Sequence, residues 1–243
     1  MYNTLKKIAK SILPTSFLTK HEVFFRKLFL FKYRGSTYTC NVCNTHLKKF
    51  IPLGKRDLLC PICGSRSRSR RLYHLLQTHE LLSGSILHFS PPRTLYRSFK
   101  KRTDIHYIAT DFEDEFIADH SYDITDIKLP DNSQDVIICY HVLEHITEDL
   151  KAMNELYRIL KPNGVCLIQT PFKEGDIYED YSITSEAGRL NAFGQKDHVR
   201  IYSLNGLNER LQSVNFNTEI IAFQAIENHQ NGWLPEHVIK ATK

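Results

Sequence analysis

From Ser85 onward the apolar residues fall into short blocks separated by polar turns. Ser85–Phe89 (SILHF), Ile105–Thr110 (IHYIAT), Val136–Tyr140 (VIICY) and Val165–Thr170 (VCLIQT) are continuous rather than alternating. Runs that short and continuous predict strands covered on both faces, as in a parallel sheet. Leu150–Leu160, between the last two, carries apolar residues at helical spacing. Lys161-Pro-Asn-Gly164 closes it, with Pro162 stopping propagation and Gly164 suited to a left-handed turn. Ser203–Val214 predicts a further helix, and Glu219–Ala222 and His237–Thr242 predict the two last strands. Alternation of this kind predicts a doubly wound α/β sheet, which holds ligands at the carboxyl ends of its strands. Asp123–Pro171 alone reads as acidic loop, strand, polar switch loop, helix, turn and strand, half of such a sheet.

A different pattern precedes it. Four of the six cysteines stand as Cys40-Asn-Val-Cys43 and Cys60-Pro-Ile-Cys63, with 16 residues between the pairs. Two C-x-x-C turns at this separation predict a tetrahedral zinc ribbon, and Asn44 and Gly64 are residue types that tolerate positive φ after each turn. Four thiolates leave no place for a catalytic water, so the expected ion is structural, a staple for a mini-domain of about 30 residues. A disulfide fits a reducing compartment poorly, and a thioredoxin-like site needs only one pair. Next, Ser65-Arg-Ser-Arg-Ser-Arg-Arg runs into Leu72, Leu75, Leu76, Leu81 and Leu82, which predicts a connecting helix. Its Arg66, Arg68, Arg70 and Arg71 either grip phosphates or pair with acidic residues, and both readings stand. The expected division is a basic aromatic arm over 1–35, ribbon and connecting helix over 36–82, and the α/β domain over 83–243.

Charge sharpens this division. The net charge of +5 conceals 16 Lys/Arg against Glu22, Asp57 and Glu80 in residues 1–80, a net of +13. The remainder carries 16 Lys/Arg against 24 Asp/Glu, a net of −8. Such a front end suits an anionic partner, with a merely solvated basic face as the plainer reading. Lys6, Lys7 and Lys10 resemble a charged leader. However, Lys10 and Pro14 interrupt the apolar stretch and no small-residue cleavage site follows, so a cytoplasmic chain is expected. Residues 5–31 could lie on a bilayer at the inner membrane with Phe17, Phe24, Phe25, Phe29 and Phe31 against lipid. Equally, those rings could pack onto the globular body.

The wording of Asp123–Pro171 closely resembles the class I methyltransferases that use S-adenosylmethionine (SAM), in particular bacterial type 11-like members with an N-terminal four-cysteine ribbon. The resemblance covers about two thirds of the chain, from Ser85 onward. It implies a Rossmann-like, doubly wound, seven-stranded methyltransferase sheet. It also implies that Asp111, ending the second strand, accepts both ribose hydroxyls of SAM, a task suited to a carboxylate facing a diol. Asp123 would accept from the adenine amine while Ile124 covers the ring. Cys139, Tyr140 and His141, at the mouth of the fourth strand, would approach the methionine part. Cys139 and Cys166 otherwise read as packing residues. The sequence departs from the family at the first turn, His88-Phe-Ser-Pro-Pro-Arg-Thr, which lacks the usual glycines. Ser90 as helix cap, Pro91 or Pro92 in the first turn, and the amides of Arg93 and Thr94 would have to serve the SAM carboxylate.

Methyl transfer needs an acceptor held in line and, for a hydroxyl, a base. His141, Glu144 and His145 share a helix-like face, and Asp197-His198-Val-Arg200-Ile-Tyr202 falls where this fold builds acceptor pockets. His198, His145 and Glu144 are therefore the catalytic candidates. They also resemble methyltransferases in which a divalent ion gathers substrate hydroxyls, although His141 stands where those have glutamate; a second metal is one expectation. Tyr178-Glu-Asp-Tyr181 suits a lid or acceptor loop, and Glu186 and Arg189 suit a helix surface. The acceptor implied is a small molecule, sugar or glycan hydroxyl. RNA is the alternative, and a SAM-fold binding or regulatory protein without catalysis is another. A nicotinamide dehydrogenase is disfavoured because the phosphate-binding glycine fingerprint is missing.

Overall fold

The computed structural model describes residues 14, 17, 18, 21–54, 57–224 and 230–243. The described residues form two compact units. The first comprises those up to His74 together with 230–234. It begins with helices α1 (Glu22–Lys27) and α2 (Leu30–Tyr33). Strand β1 (Arg34–Cys40) pairs antiparallel with β2 (Thr45–Leu47), and β3 (Ile51–Leu53) with β4 (Asp57–Leu59). Each C-x-x-C turn follows a strand, and Asn44 and Gly64 adopt φ of 52° and 82°, the conformation expected after such turns. A core of Tyr33, Leu47, Phe50, Ile51, Leu59 and Ile62 packs beside Cys40 and Cys60. Helix α3 (Ser67–Thr78) starts in this unit.

The second unit is built on a six-stranded sheet. Along the chain come β5 (Gly84–Phe89), α4 (Arg93–Phe99), β6 (Ile105–Thr110), β7 (Gln134–Tyr140), α5 (Asp149–Ile159) and β8 (Leu160–Gln169). Then follow β9 (Phe172–Lys173), β10 (Tyr178–Glu179), α6 (Glu186–Phe193), β11 (Arg200–Ser203), α7 (Leu204–Ser213), β12 (Asn217–Phe223) and β13 (Glu236–Thr242). The sheet order is β12-β13-β8-β7-β5-β6. The four strands β6, β5, β7 and β8 run parallel, while β13 is antiparallel to both its neighbours. Ile86, Leu87, Ile137, Ile138, Leu167 and Ile168 are buried, as strands covered on both faces require.

Two expectations need correction. A seventh strand is reduced to one parallel bridge between Thr110 and His120, where the amides of Asp119 and His120 both donate to the Ala109 carbonyl. The run Asp119-His-Ser is polar and offers no apolar block to bury, so pairing stops there. The left-handed residue after α5 is Asn163 (φ 64°), not Gly164. Gly164 is needed for space: a Cβ there would lie 2.8 Å from the Leu160 side chain.

The link between β12 and β13 is also distinctive. Its residues 230–234 belong to the first unit, although they lie within the expected 83–243 domain. The guanidinium of Arg70 donates to the carbonyls of Ser65, Leu58, Asn231 and Gly232 at 2.7 to 3.1 Å, and it stacks over Phe50 at 4.1 Å. Arg71 is likewise buried, 4.5 Å over Trp233. Neither is available to grip phosphates, and Arg66 pairs with Asp57.

Candidate functional site

At the carboxyl ends of the adjacent strands β5 and β7 the backbone takes an unusual turn. Ser90, after β5, and His141, after β7, have φ of 45° and 56° without being glycine. Strained residues held at such positions are typical of functional sites. The pairing of His88 with Ile138 brings both strand ends to one edge. Each is anchored: Ser90 N donates to Thr110 O and His141 N to Gln169 O, both at 2.8 Å. The serine thus performs by conformation what a glycine would perform by freedom.

The predicted cofactor residues meet here, with differences. Asp111 is buried directly after β6, but its carboxylate already accepts from Ser90 Oγ (2.7 Å) and the amides of Glu115 (2.7 Å) and Phe116 (2.9 Å). Ser90 therefore does not cap α4, whose N-cap is Pro92 with no side-chain hydrogen bond, and Pro91 is buried ahead of it. Asp123 is exposed and accepts from the Thr125 amide and hydroxyl, both at 2.8 Å. Ile124 and Cys139 belong to the hydrophobic core, so their side chains do not line an open cleft; Cys139 has its backbone to offer. Burial pushes the Cys139 and Cys166 thiols up, against any nucleophilic role. Tyr140 is buried beside them.

Immediately beyond His141, a 3-10 turn over Leu143–His145 presents the catalytic candidates. Glu144, His145 and His198 offer ligand atoms within 4.8 Å of one another. The imidazoles of His145 and His198 lie edge-to-face, centroids 4.7 Å apart, and His145 Nδ1 is 3.3 Å from Asp197 Oδ2. Glu144 is almost wholly buried. His141 Nδ1 approaches its Oε1 at 3.3 Å, yet neither carboxylate oxygen receives a well-formed hydrogen bond. His198 is buried, a backbone hydrogen bond to Phe193 holds its ring, and its Nε2 is unpartnered. Burial, reinforced by the charge of His145, lowers the His198 pKa below the usual imidazole value. Buried donors and acceptors are normally satisfied, so these unpaired atoms make the cluster a candidate site.

The chain resembles known proteins over this region. A family model described as a methyltransferase domain matches residues 94–168. The matched stretch runs from α4 into β8. A "Probable S-adenosylmethionine-dependent methyltransferase" of Mycolicibacterium smegmatis is 32% identical over 99 residues, 40% of this chain and 34% of the relative. The tRNA N(3)-cytidine methyltransferase METTL2 of Danio rerio is 32% identical over 111 residues, 41% of this chain and 31% of the relative. The chain thus spans about a third of these relatives' length. A SAM-dependent methyltransferase structure from Archaeoglobus fulgidus superposes with a TM-score of 0.50 at 15% identity, covering 71% of this chain and 93% of that one. The second unit has the SAM methyltransferase fold.

In the methyltransferase unit one group escaped the sequence reading as a structural part. Arg200 is fully buried and donates to the carbonyls of Leu143, Ile146 and Thr147, while Val199 N donates to Glu144 O at 3.0 Å. It thereby ties β11, and with it His198 just ahead of that strand, to the turn carrying Glu144 and His145. Glu179, from the expected lid loop, holds Arg200 at 2.9 Å and Arg210 at 2.6 Å. Burial alone would raise the Glu179 carboxyl, but Arg210 and Arg200 outweigh it and bring its pKa down to about 2. An isolated arginine in the sequence gave no signal of this.

The ribbon cysteines also converge. Cys40 and Cys63 sulfurs are 3.6 Å apart, and Cys43 and Cys60 sulfurs 3.9 Å. Sulfurs at ~2.3 Å from a tetrahedral zinc stand about 3.8 Å apart, so the set fits that ion. Ser65 Oγ lies 3.2 Å from both Cys40 and Cys63, and Thr45 Oγ1 3.2 Å from Cys43, hydroxyl support that spacing alone does not reveal.

Proposed function

We propose that the protein is a SAM-dependent methyltransferase acting on a hydroxyl, with a sugar or glycan intermediate as its acceptor class and a structural zinc in its ribbon. The observation that carries the reading is the unpartnered, buried Nε2 of His198 facing Glu144 and His145 beside the strained strand ends. Bound SAM would supply an electrophilic methyl group on a sulfonium. Ser90 and His141 would shape the backbone around it, Asp111 would accept from its ribose, Asp123 and the backbone of Ile124 would border its adenine, and Tyr140 would close the methionine end. His198, its other ring edge held by Phe193 and its pKa lowered, stays neutral at physiological pH and can take the acceptor's proton at Nε2. Glu144 and His145 orient the acceptor. A divalent ion on Glu144, His145 and His198 is the variant of the same reading in which those groups gather the hydroxyl. The working place would be the cytoplasm, at the inner face of a membrane.

The His198→Ala variant should bind SAM with unchanged affinity by calorimetry and lose most turnover. Undiminished product formation would remove His198 from the mechanism. RNA is the second reading, favoured by the basic first 80 residues and by the tRNA-modifying relative. Under it, RNA affinity should fall about a thousandfold or more between 50 and 200 mM salt; a flat salt response rejects it.

A further inference from the structure

The run from His21 to Tyr33 is helical across a joint at Leu28 and Phe29, which keep right-handed helical φ/ψ of −62°/−23° and −76°/−8°. Hydrogen bonds from Phe25 N to His21 O, Phe29 N to Arg26 O and Tyr33 N to Phe29 O carry the ladder through. One side of it is committed to the ribbon. Tyr33 is part of the ribbon core, Phe29 and Leu30 pack against that core, and Arg26 pairs with Glu22 close to Gly64.

The opposite side faces water. Phe24, Leu28 and Phe31 are 63%, 62% and 97% exposed, and their spacing of four and three sets them in one stripe. Val23 and Phe17 add to the exposed apolar surface. At about 100° per residue, Lys27 and Lys32 fall on the two flanks of this stripe, and both are exposed. Aromatic and aliphatic side chains lined up in water and bordered by cations mark an interaction surface rather than scattered exposure.

We propose that this stripe docks the protein on an anionic lipid bilayer, with the helical run lying in the interfacial plane. Phe24, Leu28 and Phe31 enter the acyl boundary, while Lys27 and Lys32 extend to headgroup phosphates. Charge selects this occupant. Glu22 is the only acidic residue before Asp57, and Arg26 neutralises it. A second copy on the same stripe would set lysines against lysines, whereas an anionic surface draws each of them in. The inference rests on the proposed function only for its setting at a membrane, and docking is read without cofactor or acceptor.

The test uses the full zinc-loaded chain, sedimented with vesicles of phosphatidylglycerol mixed with phosphatidylcholine, or of phosphatidylcholine alone. Binding is expected to the anionic vesicles. It should fall at least about tenfold in a Phe24→Ser/Leu28→Ser/Phe31→Ser variant and likewise in Lys27→Glu/Lys32→Glu. These positions are exposed, so zinc content, circular dichroism and SAM affinity should stay at wild-type levels, and SAM affinity judges the enzyme reading separately. Wild-type protein that sediments with neither vesicle overturns the proposal, as does a triple-serine variant that binds undiminished. Concentration-dependent dimerisation abolished by the serine changes, without vesicle binding, assigns the stripe to a second copy instead.

Discussion

A carboxylate has about four lone-pair positions, and at Asp111 three of them are filled by Ser90 Oγ and the amides of Glu115 and Phe116. Under the proposed function a ribose diol would bring two donors, so one present donor would have to yield. The hydroxyl of Ser90 can rotate away at little cost, whereas the two amides are fixed by the loop that follows. Ser90→Ala should therefore leave SAM affinity within about threefold of wild type, since a net hydrogen bond is worth only ~1 kcal/mol. Asp111→Asn should weaken it at least about tenfold, because an amide keeps one acceptor oxygen where two are needed. Isothermal calorimetry with SAM decides both. Equal affinity for Asp111→Asn would turn Asp111 into a mere organiser of the 112–116 loop. The same residue shows the reach of sequence reasoning. Strand end and acidic type were legible at Asp111, but its local donors were not.

The elements around the candidate catalytic cluster are joined by partly buried ion pairs centred on the buried Arg200. Glu179 of β10 holds Arg200 of β11 and Arg210 of α7, and Arg200 in turn holds the turn bearing Glu144 and His145. Removing one partner of a largely buried pair costs ~3 kcal/mol, which lowers Tm by about 6 to 12 °C in a chain of this size. Glu179→Ala should show that loss at neutral pH. A carboxyl whose folded pKa sits near 2, against an ordinary 4.5, stabilises the fold above pH 4.5 and ceases to do so as the pH falls toward 2. The Tm gap between wild type and variant should accordingly close across that interval in differential scanning calorimetry. A gap that persists at pH 2 would mean that the ion pairs contribute little. At this scale β5 through β8 were readable because each is a continuous apolar run, and α5 because its period is helical. The missing seventh strand was not readable, since Asp119-His-Ser carries no apolar signal of either kind.

Over the whole molecule, the ribbon unit has a small apolar core set beside its four sulfurs, and its stability is expected to rest on both. Purified protein should hold one zinc per chain by atomic emission. Stripping it with a strong chelator should remove a low-temperature calorimetric transition while leaving most of the α/β sheet's circular dichroism. Cys63→Ser should do the same without chelator. Zinc-free protein with an unchanged melt would leave the cysteines as ordinary packing residues. Because Arg70 binds the carbonyls of Asn231 and Gly232, the ribbon transition should also respond to changes in 230–234, far along the chain.

Spacing and period are local properties, written in consecutive residues. The four-cysteine cluster, the parallel strands, the helix between them and the acidic residue at a strand end therefore followed from the sequence. Partnerships between distant side chains depend on how the chain crosses itself. His198 meets Glu144 and His145 only because β11 lies against the 3-10 turn, and Arg200 serves that junction only because its guanidinium finds three carbonyls there. Which face of the His21–Tyr33 run meets water was likewise undetermined until Tyr33, Phe29 and Leu30 took their places on the ribbon core. Tertiary packing chose the face, and with it left Phe24, Leu28 and Phe31 outside.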